Sequence, residues 1–241
     1  MAVSDVSFEA AEKTIFGIMG PNGSGKTTIF NVISGIYKAN SGRIILNDEN
    51  ILGYRPDTIA RKGVGRTFQN LELFDNASVM NNIMLGRHIH MKTGVLKGAI
   101  KWGKRSSAGR EEIENREIVE GIIDFLELQP MRDQLVGALP YGKRKLVELA
   151  RALAMEPKLL LLDEPSSGMN AEEKEDLGIW LRDIKADYNV TILLVEHDTN
   201  MVMGLSDRIL AINFGKIIVE GLPEEVQSHP DVITAYLGEE G

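Results

Sequence analysis

The sequence predicts an α/β fold with a mainly parallel sheet. Short continuous apolar runs, typical of strands buried on both faces, alternate with segments of helical apolar spacing, and a glycine-rich loop follows the first such run. The predicted strands are residues 15–19, 43–46, 159–162, 191–195 and 209–212, and the predicted helices are residues 28–34, 111–126, 143–155 and 172–186. Val3, Val6 and Phe8 stand among polar residues and predict a further edge strand.

The middle of the chain carries almost only helical patterns. A length of 241 residues suits one large domain. We therefore expect a single domain over residues 1–241, in which a helical lobe of residues 70–156 is inserted into an α/β core formed by residues 1–69 and 157–241.

The glycine-rich loop has the pattern of a phosphate-binding loop. Residues 20–27 fit G-x-x-x-x-G-K-[ST] between a predicted strand and a predicted helix, where loop N–H groups and the helix N-terminus can hold phosphate. Lys26 can reach the β- and γ-phosphates, and the Thr27 hydroxyl can ligate Mg²⁺. An ordinary glycine-rich turn is the alternative. The candidate nucleotide-binding residues here are Gly20, Pro21, Asn22, Gly23, Ser24, Gly25, Lys26, Thr27 and Thr28.

Two acids end the apolar run of residues 159–162. Asp163 can hold Mg²⁺ through water, as the second acid of phosphate-loop ATPases does, and Glu164 can polarise an attacking water. The alternative is an Asp-Glu-Pro turn at a strand end, which the pairing with residues 20–27 disfavours.

Gln69 and His197 are two further candidates. The Gln69 amide can ligate Mg²⁺ or the attacking water, whereas a solvated loop glutamine is the alternative. His197 follows a predicted parallel strand, whose carboxyl end faces the ligand crevice of such folds, and its imidazole can hydrogen-bond to a γ-phosphate. A structural histidine is the alternative there.

Composition narrows the class of protein. The chain has no cysteine, so disulfides and cysteine-based metal or redox sites are excluded. No apolar run reaches the roughly 20 residues that cross a bilayer, and no secretory signal is visible, so we expect a cytoplasmic protein. A net charge of −8 argues against a general nucleic-acid binder.

Taken in order, these motifs resemble those of ABC transporter ATP-binding subunits. The matching segments are Walker A (20–27), the Q-loop (Gln69), the signature (139–143), Walker B with its glutamate (159–164), the D-loop (167–170) and the H-loop (His197). The wording of residues 66–70, 139–142, 168–170 and 235–238 is similar to LivG-type subunits of branched-chain amino-acid importers. Related subunits for urea, short amides or aromatic acids look much alike.

The resemblance implies a P-loop ATPase fold with a small antiparallel β subdomain, and the site roles follow from it. Lys26 and the loop amides would bind ATP, while Thr27, Gln69 and Asp163 would place Mg²⁺. Glu164 would be the general base, and His197 would hold the γ-phosphate. The signature residues Tyr141 and Gly142 would complete the ATP site of a second subunit that packs head to tail.

The same resemblance implies the partners. We expect a second ABC ATPase subunit (a sibling or a copy), integral membrane permease subunits and, indirectly, a solute-binding protein, but no nucleic acid. The chain would lie peripherally on the cytoplasmic side of the inner membrane. A non-transport ABC ATPase of DNA repair or translation is the alternative, but the long coiled coils of the former and the paired ATPase halves of the latter are not seen here.

The chain departs from the family pattern in three places. Pro140 and Lys143 stand where the signature usually has Ser and Gln, and Asn170 replaces the D-loop Asp, for which we expect a modest effect. The adenine-stacking aromatic of the family lies on a strand upstream of the phosphate loop, and we expect that strand to be missing from the 19 residues before Gly20. We therefore expect a truncated or misassigned start and weak ATP affinity, since losing a stacked aromatic costs about 1–3 kcal/mol.

Residues 87–110 form a basic insert without any acid. Apolar side chains are interleaved with its positive charges, as expected for contact with anionic lipid headgroups or an acidic partner loop. A solvated loop of the helical lobe is an equally good interpretation.

Overall fold

The structure is a computed structural model that describes residues 3–67, 71–91 and 107–237. It divides into two compact units, one formed by Met1–Gln69 and Lys158–Gly241 and the other by Asn70–Pro157.

The first unit is an α/β unit. Its strands are β1 (Ile15–Met19), β2 (Ile45–Leu46), β3 (Glu49–Asn50), β4 (Val64–Arg66), β5 (Leu159–Asp163), β6 (Thr191–Val195), β7 (Arg208–Asn213) and β8 (Lys216–Gly221). Its helices are α1 (Lys26–Ile33), α2 (Pro56–Arg61), α6 (Ala171–Asp187), α7 (Thr199–Leu205), α8 (Pro223–Gln227) and α9 (Pro230–Leu237), where the numbers between α2 and α6 belong to the second unit.

Six of these strands form one sheet in the order β4-β5-β6-β1-β7-β8. All neighbouring pairs are parallel except β7 and β8, and β2 pairs with β3 in a separate small antiparallel sheet. The predicted fold class is therefore confirmed. Val195 of β6 is in register with both Ile18 and Asp163, so β1, β5 and β6 end at the same edge of the sheet.

The apolar runs that predicted the strands are the centre of the first unit. Each residue of β1 is buried, as are the last four of β5 and of β6. One face of the sheet is covered by α1, whose Ile29, Phe30 and Ile33 pack in one cluster with Phe16 and Leu161. This burial on both faces explains why these strands lack the alternating pattern of a half-exposed sheet.

The second unit contains three described α-helices. They are α3 (Val79–Met84), α4 (Ser107–Phe125) and α5 (Tyr141–Leu153), and short 3₁₀ segments lie at Leu85–Ile89, Gln129–Met131 and Val136–Ala138. Apolar residues at helical spacing, such as Val119, Ile122 and Ile123 on α4, are buried. The fully buried Asn82 amide exchanges hydrogen bonds with both backbone groups of Phe74, which holds the turn before α3.

The edge strand expected at the start of the chain is wrong. Val3, Val6 and Phe8 pack against the core of the first unit, but no strand is assigned in residues 3–14. The Phe8 ring stacks on Phe16 with centroids 5.3 Å apart. Alternating apolar residues thus indicate that one side of this segment is buried, but they do not by themselves establish backbone pairing with a neighbouring strand.

Two sequence expectations concern the chain's surroundings. No helix in residues 3–67, 71–91 or 107–237 is both long and apolar enough to cross a membrane. Most of the basic insert, residues 92–106, lies outside the described residues, so its two interpretations stay open.

Candidate nucleotide-binding site

The predicted phosphate loop, residues 20–27, follows β1 directly and continues into α1. Gly20 follows β1 where a Cβ atom would be 2.1 Å from the carbonyl oxygen of Ile212 on β7, so no larger residue fits. Gly25 is the N-cap of α1 in the left-handed region, with φ 111°, which glycine adopts without strain. The Ser24 carbonyl accepts a hydrogen bond from the Gly215 N–H in the β7–β8 turn (2.8 Å), which fixes the loop to the sheet.

Lys26 is the first residue of α1 and is buried. Its Nζ donates to the carbonyl oxygens of Gly20 (2.6 Å) and Pro21 (2.9 Å), so the ammonium group closes the loop. Thr27 is exposed beside it and Thr28 is half-buried. This arrangement places a positive charge and a hydroxyl at the N-terminus of one helix.

The remaining loop residues divide by exposure. Pro21 and Ser24 are buried, whereas Asn22 and Gly23 are exposed. The buried Ser24 Oγ has no hydrogen-bond partner within the described parts of the chain. Since a buried hydroxyl is costly without a partner, its position in this loop fits a bound anion that accepts a hydrogen bond from it.

Asp163 lies at the end of β5, almost fully buried. Its Oδ2 pairs with Nη2 of Arg66 at 3.2 Å, across the parallel β4–β5 pair. Burial lowers the pKa of the Arg66 guanidinium, and the charge of Asp163 opposes this shift. The sequence analysis did not predict this partner of Asp163. Arg66 is the last residue of the short strand β4 and therefore lies at the carboxyl edge of the sheet.

Glu164 and His197 are brought together, although 33 positions separate them in sequence. The Glu164 Oε1 and His197 Nε2 atoms are 2.8 Å apart. The Glu164 N–H donates to the carbonyl oxygen of Val195, the last residue of β6 (2.8 Å), and its backbone is left-handed, with φ 52°. A carboxylate and an imidazole are thus held in contact at the edge where β5 and β6 end.

A second buried acid, Glu196, was missed by the sequence analysis. It accepts hydrogen bonds from the N–H groups of Ser166 (2.6 Å) and His197 (3.2 Å). Burial raises the pKa of the Glu196 carboxyl, and these two N–H donors oppose the shift. Its carboxylate therefore joins the segments that follow β5 and β6.

The signature segment belongs to the second unit. Pro140 is the N-cap of α5 without a side-chain cap, Tyr141 is exposed and Gly142 is buried. Lys145 Nζ lies 5.9 Å from the Tyr141 ring centroid. Gln69 lies outside the described residues.

Asn170 has a clear structural role as N-cap of α6. Its Oδ1 accepts from Glu173 N–H and its own N–H donates to Glu173 Oε2, both at 2.9 Å. Aspartate caps helices equally well. The departure from the family's D-loop Asp therefore preserves this cap and removes one charge.

The donor set of the site suits Mg²⁺. The described residues contain no group of three or more His, Cys, Asp or Glu side chains placed to hold a metal. Mg²⁺ in nucleotide sites commonly uses one or two protein oxygens together with phosphate oxygens and water. A threonine hydroxyl and one buried carboxylate, Thr27 and Asp163, fit that mode.

Comparison with known proteins decides the family. The family model described as ABC transporter matches residues 3–167, more than half of the chain. The chain is an ABC transporter ATP-binding protein. A second model, described as branched-chain amino acid ATP-binding cassette transporter, matches residues 216–241.

Relatives of this ABC protein cover nearly its whole length. The high-affinity branched-chain amino acid transport ATP-binding protein BraF of Pseudomonas aeruginosa is 39% identical over 239 residues, which are 99% of this chain and 92% of BraF. The corresponding LivG protein of Escherichia coli K12 is 38% identical with the same coverage. The chain belongs to the LivG/BraF family, as the resemblance implied.

Solved structures agree with this assignment. The crystal structure of the ADP conformation of MJ1267, an ATP-binding cassette of an ABC transporter, matches with a TM-score of 0.83 at 31% identity, covering 98% of this chain and 92% of that one. The predictions of an ABC ATPase architecture, and of an ATPase whose hydrolysis drives transport, are confirmed. The alternative of a DNA-repair or translation ATPase is not supported.

Proposed function

We propose that this ABC ATPase drives the import of branched-chain amino acids by hydrolysing Mg²⁺-bound ATP at the carboxyl edge of its main sheet. The observation that carries the catalytic part is the 2.8 Å contact of Glu164 with His197, at the edge of the sheet where β1, β5 and β6 end. The cargo is supported by the relatives named for branched-chain amino acid transport and by the match of residues 216–241.

In this proposal the phosphate loop binds and orients ATP. Lys26 exchanges its contacts with the loop carbonyls for contacts with oxygens of the β- and γ-phosphates. The Ser24 hydroxyl donates a hydrogen bond to a phosphate held in the same loop. Thr27, Gln69 and Asp163 would hold Mg²⁺, which would supply positive charge beside the phosphates. These groups act by position and charge, as phosphoryl transfer requires.

Glu164 then acts as the general base. Its carboxylate accepts a proton from the attacking water. The single N–H of a neutral His197, which lies on this carboxylate in the structure, would exchange that contact for the γ-phosphate when ATP is bound. Glu196 supports both, because it accepts hydrogen bonds from the backbone on each side. A second ABC ATPase subunit would supply its signature segment, and Tyr141 and Gly142 would serve the partner's site.

The proposal extends to the partners and place of the protein. The ATPase pair would dock on membrane permease subunits at the cytoplasmic side of the inner membrane, and a solute-binding protein would deliver the cargo. ATP binding would then favour the closed pair, and hydrolysis would release it.

An uptake experiment tests the cargo. In cells of the source organism that lack the gene, we expect the wild-type gene to restore uptake of radiolabelled leucine, isoleucine and valine, and the Glu164→Gln gene to restore none. Restoration of labelled urea or acetamide uptake, with leucine uptake unchanged, would assign the chain to a related importer and contradict the proposed cargo.

The signature of this chain gives a separate prediction. Pro140 has neither a hydroxyl nor an N–H, so Pro140→Ser adds two donors at the N-terminus of α5. We expect ATP turnover of the assembled transporter to change by about 10-fold, since a hydrogen bond to a charged group contributes about 1.5–3 kcal/mol. Pro140→Ala, which restores the N–H alone, is the matched control. An unchanged rate in both variants would contradict the proposed altered signature.

A further inference from the structure

The guanidinium group of Arg66 joins three elements of the first unit. Arg66 is the last residue of β4, and its Nη2 contacts Asp163 Oδ2 at the end of β5. Its Nη1 donates to Asn31 Oδ1 (2.8 Å) and to Ser34 Oγ (2.7 Å), in the last turn and the C-cap of α1. The side chain is only 8% exposed.

The contact with α1 falls on a specific face of that helix. Asn31 lies four residues after Thr27, and residues with this spacing share one face of an α-helix. Arg66 therefore links Asp163 to the face of α1 that carries Thr27. These two residues are the described Mg²⁺ candidates.

Simple stabilisation does not explain a buried charge at this place. Replacing a buried ion pair by apolar side chains is often neutral or stabilising, so the pair alone is weak evidence for a stabilising role. The planar guanidinium donates in fixed directions, and here it has one nitrogen on the carboxylate and another on the helix. A lysine at this position would keep the charge but lose the fork.

We propose that Arg66 is a positioning residue for the metal site. Its guanidinium group fixes the Asp163 carboxylate relative to α1, so that this carboxylate would meet Mg²⁺ in one orientation. This rests on the Mg²⁺ site of the proposed function. A carboxylate has two oxygens with about four acceptor positions, so Asp163 can keep Arg66 at Oδ2 and still accept a metal-bound water. In this role Arg66 would act through Asp163 and not as a ligand of the metal.

The test separates metal binding from nucleotide binding in the purified full chain. Mn²⁺ replaces Mg²⁺ as a paramagnetic probe, and its affinity is titrated in the presence of the ATP analogue with NH in place of the β–γ bridging oxygen. For Arg66→Lys we expect Mn²⁺ to bind roughly 10- to 100-fold more weakly, as when the partner of a metal ligand is lost. The affinity for the analogue in excess EDTA should stay within about 2-fold, since the charge is retained.

A second variant leaves both buried charges unchanged. Asn31→Ala with Ser34→Ala removes the two anchors on α1 and leaves the Arg66–Asp163 pair in place. We expect the same direction of change, with a smaller loss of Mn²⁺ affinity. Arg208→Met is the matched control, because Arg208 pairs with Glu220 on the β7–β8 pair and begins β7, at the opposite end from the site.

The outcomes are distinct. The inference is overturned if both Arg66→Lys and the double variant bind Mn²⁺ as tightly as the wild type does. It is also overturned if these variants lose affinity for Mn²⁺ and for the metal-free analogue to the same extent. If Asp163→Asn leaves Mn²⁺ binding intact, the proposed metal site itself fails, and the role of Arg66 fails with it. Weaker Mn²⁺ binding in both variants, with an unaffected Arg208→Met, supports the inference.

Discussion

Glu164→Gln is expected to lower ATP turnover of the assembled transporter by about 10² to 10⁴-fold, the usual range for loss of a general base. Glutamine keeps the size of the side chain and its contact with His197, but it cannot accept a proton from water. ATP binding should remain, because the phosphate loop is unchanged. The measurements are phosphate release at saturating ATP and binding of labelled ATP.

The control for this change is Glu175→Gln, an exposed residue of α6 with the same change in charge. It should turn over ATP as the wild type does. Substantial turnover by Glu164→Gln would remove Glu164 from the role of base. Loss of ATP binding in this variant would instead show that Glu164 shapes the binding site.

Lys26→Ala is expected to lower ATP turnover by about 10² to 10³-fold, as when a preorganised donor to a developing anion is removed. In contrast to Glu164→Gln, it should also weaken ATP binding, since the buried ammonium lies inside the loop that would hold the phosphates. Turnover and ATP affinity of the complete transporter are the measurements.

Lys38→Ala serves as the control, because Lys38 is exposed beyond the end of α1. A thermal unfolding curve for each variant shows whether the phosphate loop still folds without the Lys26 contacts. If a folded Lys26→Ala transporter kept wild-type ATP affinity and turnover, the assignment of residues 20–27 as the phosphate loop would be lost.

The strands and the loop were predictable because their signals are local. The predicted bounds of β1 and β6 agree with the observed bounds to the residue, and the glycine-rich pattern follows β1 directly and leads into α1. The parallel arrangement also predicted that Asp163 and His197 would share one edge of the sheet. Patterns of neighbouring residues in the sequence were sufficient to predict these strands, the loop and their shared edge.

What the sequence could not supply is non-local. The pairing of Arg66 with Asp163 requires β4 to lie beside β5 in one register, which no short pattern encodes. Glu196 gave no signal of its own, because its partners are backbone N–H groups that any residue carries. The helix-capping role of Asn170 was likewise not predicted, because the sequence analysis assigned this residue to the D-loop.

The backbone of Glu164 has a consequence for how this position can change. A residue with a side chain at φ 52° bears a conformational penalty that glycine would escape, about 1–2 kcal/mol. Fold robustness and hydrolysis therefore favour different residues at the same position, glycine for the first and an acid for the second. Selection for stability of the folded protein alone would favour glycine at this position, and the resulting transporter would be inactive.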